Sequence, residues 1–211
     1  MARYVGPQCR LCRTENTKLF LKGERCYSAK CPIAKKANPP GKGLRFRAKK
    51  RSDYGIQLRE KQKLKITFGM LEKQFKLTFK EADRLQGKTG DNLITLLERR
   101  LDNTVYRMRF ASSRKQARQL ISHGHILVNG KRVTIGSYRL KLNDEISVHS
   151  KSQKMVVIKE SLKEYTKSGV YPWMDLNPDE MKGKINAFPQ RSEVTDLLNV
   201  NVQLIVELYS R

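Results

Sequence analysis

The chain has 211 residues, of which 44 are Lys or Arg and 20 are Asp or Glu, giving a formal net charge of +24 at pH 7. A domain with this excess would repel itself, so a polyanionic partner is expected, and nucleic acid phosphate is the leading candidate. No apolar run approaches the ~20 residues that cross a bilayer, and no terminal amphipathic helix with aromatic anchors favours an anionic membrane surface. The composition therefore predicts a soluble, intracellular binding protein.

Four cysteines near the N-terminus have the spacing of a metal-binding knuckle: Cys9, Cys12, Cys26 and Cys31. The pattern Cys-x2-Cys followed by Cys-x4-Cys lets four thiolates converge on one ion, as tetrahedral structural zinc requires. No secretory segment precedes Cys9, which disfavours disulfides, while reduced thiols without metal remain an alternative. The cluster predicts one structural Zn²⁺ that supplies folding free energy to a segment with little core.

A break rich in proline and glycine at residues 39–43 is followed by a basic run at residues 44–51. Such a run cannot form a core, so it predicts an extended arm that becomes ordered on its partner. Its cations are Arg45, Arg47, Lys49, Lys50 and Arg51. The zinc knuckle would position this arm, together with Arg3, Arg10 and Arg13, against a polyanion.

Two apolar stripes with helical spacing follow residue 52. The first consists of Leu71, Phe75, Phe79 and Ala82, and the second of Leu93, Leu97, Leu101, Val105 and Met108. The spacing predicts one helix for each stripe, with the apolar side chains in the core.

A short helix is predicted next, because Ser113 and Gln116 have capping-box spacing and Gly124 is a natural C-terminal stop. On a helical wheel Arg114, Lys115 and Arg118 occupy one arc beside the apolar face, which suits a phosphate backbone.

Three further apolar patterns predict short strands. Residues 126–128 and 133–135 flank Asn-Gly-Lys-Arg, which predicts a hairpin with Lys131 and Arg132 at its tip. Alternation at residues 140–148 predicts a second hairpin, and alternation at residues 200–208 predicts a C-terminal strand.

The predicted fold class is α+β, with a zinc knuckle, a mainly helical domain and a small helix-and-antiparallel-sheet module. The expected domains are residues 1–51 for the knuckle and arm, 52–96 plus about 176–211 for the helical domain, 97–160 for an RNA-binding module, and 161–175 for a connecting segment.

Several blocks of the chain resemble one known family in the same order. They are Met1–Tyr4, Ser52–Lys63, Leu97–Met108, Ala117–Gly124 and Leu204–Ser210. Together they are similar to bacterial-type small-subunit ribosomal protein four, and residues 97–160 resemble the small RNA-binding module named after it. The four cysteines resemble the zinc-binding members of that family.

This resemblance implies a cytoplasmic constituent of the small ribosomal subunit that binds small-subunit rRNA, nucleates assembly of its 5′ domain and contributes to translational accuracy. It also implies contact with small-subunit ribosomal protein five, and an arm at residues 45–51 near the channel through which messenger RNA enters. No membrane or small-molecule substrate is expected. Besides the cations of the knuckle and arm, the candidate RNA contacts are Arg59, Lys61, Lys63, Arg107, Arg109, Ser113, Arg114, Lys115, Arg118, His123, Lys131 and Arg132.

Two other classes of protein share some of these features. The same module occurs in some RNA-modifying enzymes, but the residues before it are used by the knuckle, the arm and one amphipathic helix. Glu98 and Asp102 are close to Arg99 and Arg100, which favours ion-pairing over catalytic carboxylates. A zinc-containing DNA-binding regulator would need a paired finger or a dimeric recognition helix. The sequence therefore predicts a non-enzymatic RNA-binding protein.

Overall fold

The computed structural model describes residues 4–41, 50–163, 171–197 and 200–210. The chain forms two compact units, one comprising Met1–Leu93 and Thr195–Arg211 and the other comprising Ile94–Val194. In chain order the helices are α1 Gln8–Glu15, α2 Asp53–Thr67, α3 Glu72–Arg84, α4 Thr89–Glu98, α5 Leu101–Arg107, α6 Arg114–Ser122, α7 Val156–Lys163 and α8 Val202–Tyr209. The strands are β1 Ile126–Val128, β2 Lys131–Arg132, β3 Glu145–Val148, β4 Met174–Asn177 and β5 Lys182–Ile185.

Helix α3 provides the core of the first unit in the way its spacing predicted. Phe75, Phe79 and Ala82 are buried, whereas Leu71 precedes the helix and is 44% exposed. The ring of Tyr209 in α8 stacks on Phe79, with 4.4 Å between ring centroids. This aromatic contact fixes α3 against the C-terminal helix.

The predicted C-terminal strand is wrong, because residues 202–209 form α8. The Asn201 side chain begins the helix by accepting a hydrogen bond from the Gln203 amide at 3.1 Å. Val202 and Ile205 are buried one turn apart, and the Gln57 amide of α2 donates to Glu207 at 3.2 Å. Alternating apolar residues also fit a short helix, and the cap together with packing on α2 selects it.

The second apolar stripe is interrupted by a break between α4 and α5, so the predicted single helix is wrong. All five of its residues are fully buried, as expected of core positions. The break is stabilised because the first amides of α5 have carbonyl partners in a distant loop: Leu101 donates to Tyr138 at 2.8 Å and Asp102 to Gly136 at 3.0 Å. These contacts replace the hydrogen bonds that a continuous helix would make.

The second unit contains a five-stranded antiparallel sheet in the order β2-β1-β3-β5-β4. The first predicted hairpin forms with a shorter link, since Val128 pairs with Lys131 across a two-residue turn. Asn129 and Gly130 have φ angles of 49° and 74°, and this pair of left-handed residues matches the twist of a tight hairpin. Residues 133–135 are therefore not a strand.

The second predicted hairpin is also wrong. Strand β3 pairs with β1 on one side and with β5 on the other, so both of its edges are occupied by other segments. The preceding residues instead form a turn in which the Lys141 amide donates to the Asp144 carboxylate at 2.7 Å.

The sheet also changes the predicted domain boundary near residue 176, after which the sequence predicts that the chain rejoins the helical domain. Strand β5 pairs with β3, which places residues 176–194 in the second unit. The predicted connecting segment 161–175 includes the end of α7 and the start of β4. Hydrogen bonding between distant strands therefore extends the second unit beyond the predicted module.

A charge cluster on α2 and α3 makes the first unit sensitive to acid. Glu72 accepts hydrogen bonds from Lys61 and from Lys65, the latter at 2.8 Å. Partial burial raises the pKa of Glu72, but the two lysines outweigh this effect and bring the pKa below its ordinary value of 4.5. Stability from this carboxylate is therefore present above pH 4.5 and is lost as the pH falls through the lowered pKa.

We expect Glu72→Gln to lower the unfolding free energy at neutral pH, because buried Lys61 loses its counter-ion. The variant should also lose stability less steeply than the parent as the pH falls below 4.5. Urea unfolding between pH 3 and pH 7 measures both effects. In a Lys61→Met background the neutral-pH effect should shrink. Parallel pH profiles for parent and variant would contradict the assignment.

Candidate nucleic-acid interface

The four cysteines occupy the N-terminal segment of the first unit. Cys9 and Cys12 lie three residues apart on α1, so they share one face of that helix. Cys26 ends a short 3-10 turn at Gly23–Cys26, and Cys31 follows five residues later. Cys12, Cys26 and Cys31 are buried, Cys9 is half-buried, and all four are free thiols.

Two of these thiols have backbone donors. The Lys22 amide donates to Cys26 Sγ at 3.3 Å. Burial raises the pKa of Cys12, with the other three cysteines acting in the same direction and a hydrogen bond from the Leu19 backbone opposing them. The part of the chain that the structure describes contains no group of three or more His, Cys, Asp or Glu side chains arranged to hold a metal ion.

The cations of the knuckle and arm have different environments. Arg10, Lys50 and Arg51 are exposed. Arg13 is half-buried, and its guanidinium donates to the Asn38 carbonyl at 3.4 Å. Four further predicted contacts lie outside the described residues: Arg3, Arg45, Arg47 and Lys49.

Three candidate cations on α2 make ion pairs within the protein. Arg59 pairs with Glu15 at 3.1 Å and Lys63 pairs with Glu60. Lys61 is buried and pairs with Glu72. The prediction that Lys61 faces RNA is therefore wrong, and the other two cations are half-buried.

Arg107 is a structural residue, which corrects its assignment as an RNA contact. Its side chain is fully buried and pairs with Glu98, with 2.9 Å between Nη2 and Oε1. The guanidinium also lies 4.6 Å from the ring centroid of Tyr171. Because these groups enclose it, Arg107 holds the second unit together rather than contacting a ligand.

Arg114 and Arg118 are also turned inward, so the predicted cationic arc on α6 is wrong. Arg114 Nε donates to Asn103 at 2.8 Å, and its guanidinium lies 4.6 Å from the ring centroid of Tyr106. Arg118 Nε donates to Asp102 at 2.9 Å. The acceptors come from α5, eleven to sixteen residues earlier in the chain. A wheel of α6 alone could not reveal them.

Ser113 caps α6 as predicted, and its hydroxyl accepts from the Gln116 amide at 3.3 Å. Ser113 is buried, and its role as an RNA contact stays a prediction. The Gln116 side chain accepts a hydrogen bond from the Ser112 amide at 2.7 Å, whereas a capping box would use the Ser113 amide. Lys115 is the exposed cation in the first turn of this helix.

One group of exposed basic side chains in the second unit lies at the other end of α6. We define the hairpin surface as His123, Lys131 and Arg132, which are all exposed. The Arg132 guanidinium donates to the His123 carbonyl at 2.9 Å, which links the hairpin to the end of α6. Arg109, another candidate, is half-buried with a left-handed φ of 60°.

Gly124 allows this link to form. Its φ of 74° is the left-handed conformation that ends a helix. A Cβ at this position would lie 1.8 Å from Arg132 Nε. Glycine thus permits both the helix end and the close approach of Arg132.

Electrostatics at the hairpin surface favour an anionic partner. Burial lowers the pKa of the neighbouring His125, and His123, Arg132 and His149 act in the same direction. His125 Nδ1 lies 2.8 Å from the Ser152 hydroxyl. The basic groups around His125 disfavour a further positive charge on it, and a phosphate group would neutralise this local positive potential.

Glu98 and Asp102 are confirmed as ion-pairing carboxylates, with Arg100 as an expected partner and Arg107 and Arg118 as partners that the sequence did not suggest. Glu98 binds Arg107, while Asp102 binds Arg100 and Arg118. The described residues contain no helix with the length and apolar character needed to cross a membrane.

Two family models match consecutive segments of the chain, and several known proteins match it over its full length. Residues 3–98 match the family model described as Ribosomal protein S4/S9 N-terminal domain, and residues 99–146 match the S4 domain. The proteins named small ribosomal subunit protein uS4 from Geotalea daltonii, Geotalea uraniireducens and Thermus thermophilus are 53%, 52% and 50% identical, each over 100% of both chains.

The two adjoining matches define the class as a ribosomal protein with an S4 RNA-binding domain. The chain belongs to the small ribosomal subunit protein uS4 family. This membership confirms the predicted non-enzymatic ribosomal class and the α+β fold.

Replacing Arg107 with Met should lower the unfolding free energy by about 3–5 kcal/mol, because Glu98 would remain buried without its cation. Urea unfolding monitored by circular dichroism measures this change. The control Lys115→Met removes an exposed cation from the same unit and should change stability by about 0.5 kcal/mol or less. Equal stability losses in the two variants would contradict a structural role for Arg107.

Proposed function

We propose that this chain binds small-subunit rRNA directly, as a structural constituent of the small ribosomal subunit. The observation that supports this function is the similarity to uS4 proteins, which extends over the whole chain at 50–53% sequence identity. Both matched domains therefore belong to one ribosomal protein rather than to an enzyme with an added S4 domain.

Phosphate contacts would supply most of the affinity. The hairpin surface and Lys115 present cations on a folded scaffold, while Arg10, Lys50 and Arg51 are exposed in the first unit. Contacts of this kind release counterions and position the protein without reading bases. Specificity would come from the shape of a folded RNA junction and its 2′-hydroxyl groups.

The family resemblance supports a finer assignment. In this proposal the protein nucleates assembly of the 5′ domain of the rRNA and contributes to translational accuracy beside small-subunit ribosomal protein five. The arm cations at residues 45–51 lie near the channel through which messenger RNA enters. The basic character of the arm supports this placement, because messenger RNA is a second polyanion.

The four cysteines are proposed to hold one structural zinc ion, as in the zinc-binding members of the family. The chemistry of the donor set supports this proposal, because four free cysteines from two sequence pairs lie in one small segment. The backbone hydrogen bond to Cys12 favours its thiolate, and a cation would offset the burial that raises the pKa of Cys12. When bound, zinc would crosslink α1 to the segment containing Cys26 and Cys31.

The full-length protein should bind folded small-subunit rRNA more tightly than duplex DNA of equal length at about 0.15 M salt, where non-specific attraction is weakened. The variant K115Q/K131Q/R132Q should bind the rRNA more weakly and reduce the salt slope by about 2–3, since three phosphate contacts are lost. Filter binding across a salt series measures both. K115R/K131R/R132K retains the charges and serves as the control. Equal affinity for rRNA and DNA would contradict the proposed function.

Native mass spectrometry should find one zinc ion per chain, and Cys12→Ser should remove it, because a thiolate ligand is lost. Limited proteolysis should then cleave the segment before residue 52 while residues 94–194 stay protected, since the second unit has its own core. Treatment of the parent protein with a chelator should reproduce the cleavage pattern. Cysteines isolated as disulfides, or unchanged zinc content in the variant, would contradict the proposal.

A further inference from the structure

The outer side of α3 carries cations that the sequence analysis did not select. We define the α3 basic face as Lys73, Lys76, Lys80 and Arg84, all of which are exposed. Within the described residues, none of these side chains forms an ion pair with a carboxylate. These cations are therefore available to an external partner.

Helical geometry aligns three of them. At 100° per residue, Lys73, Lys80 and Arg84 lie within about 40° of one another, on the side opposite Phe75 and Ala82. From Lys73 to Arg84 the helix rises by eleven residue steps, or about 16 Å. Because it points directly away from the core, a long polyanion could contact all three cations at once.

The cations of the α3 basic face differ from those of α2 in their acidic partners. Glu72, in the first turn of α3, is one turn from Lys76 and would be its natural partner. Instead Glu72 accepts from Lys61 and Lys65 of α2. The acidic group at the start of α3 thus stabilises the packing of two helices and forms no ion pair with Lys76.

The face is also held rigidly. Phe75 and Phe79 on the opposite side stack on Tyr209, with centroid distances of 6.4 and 4.4 Å. Leu77 is 53% exposed beside the cation row. A helix fixed by its buried side loses little conformational entropy when the outer side binds.

We propose that the α3 basic face is a further contact site for the phosphate backbone of small-subunit rRNA, in a different unit from the hairpin surface. This inference rests on the proposed function, since it names a second site for the same partner. RNA is favoured over an acidic protein because the cations form a long row, which matches the repeating charge of a nucleic acid strand.

The test compares the full-length variant K73Q/K80Q/R84Q with the parent in binding to small-subunit rRNA across a salt series. At about 0.1 M salt the variant should bind about tenfold to hundredfold more weakly, and its salt slope should fall by about 2–3, as three lost phosphate contacts require. Nuclease footprinting should show loss of one contiguous protected segment of the rRNA, while the protections that depend on Lys131 and Arg132 remain.

Two controls make the outcome specific. K73R/K80R/R84K keeps the charges and should bind like the parent, and K182Q/K184Q/R191Q removes the same charge from exposed cations of the second unit that lie outside the predicted RNA-binding module. Thermal unfolding checks that each variant is folded. If K73Q/K80Q/R84Q matches K182Q/K184Q/R191Q in affinity, slope and footprint, the α3 proposal is overturned while the proposed function stands. Failure of the parent to prefer the rRNA would overturn both.

Discussion

Two buried carboxylates, Glu98 and Asp102, hold the second unit of this highly basic chain together. They lie at the end of α4 and the start of α5, and between them they bind Arg107, Arg100 and Arg118. A buried guanidinium without a counter-ion would be strongly destabilising. The break between the two helices brings these carboxylates to the positions that the arginines reach.

This arrangement sorts the cations of the protein into two groups. Arg107, Arg114 and Arg118 have partners inside the second unit, whereas the hairpin surface remains open to solvent. In the first unit Glu72 has the same role, because it engages lysines of α2 and leaves the outer side of α3 free. A few acidic residues thus decide which cations build the fold and which can meet phosphate.

The N-terminal segment depends on a different interaction. Its apolar content is small, and its buried side chains are mainly three of the four cysteines and Leu19. The pairing of Glu15 with Arg59 is one polar contact between α1 and α2. In the proposed zinc form, the metal would supply the crosslink that a hydrophobic core supplies elsewhere in the chain.

The sequence by itself determined the class of protein, the α+β composition and the core stripes, because the matching blocks, apolar spacing and charge are local properties of the chain. It also identified Asn129 and Gly130 as a tight turn, since both residues accept left-handed backbone angles. The exposure of Lys131 and Arg132 followed from their position beside that turn.

Only the tertiary structure decided the helical state of the C-terminus, the place of β4 and β5 in the sheet, and the inward orientation of Arg107, Arg114 and Arg118. Each of these depends on a partner that is distant in sequence. The apolar pattern of the C-terminus fits a helix or a strand, and the packing of α8 on α2 favours the helix. Strand β3 pairs with β5, which lies more than thirty residues later in the chain. The sequence does not show whether a given arginine will pair with a distant carboxylate. Only the folded chain therefore separates arginines that stabilise the fold from those that can bind RNA.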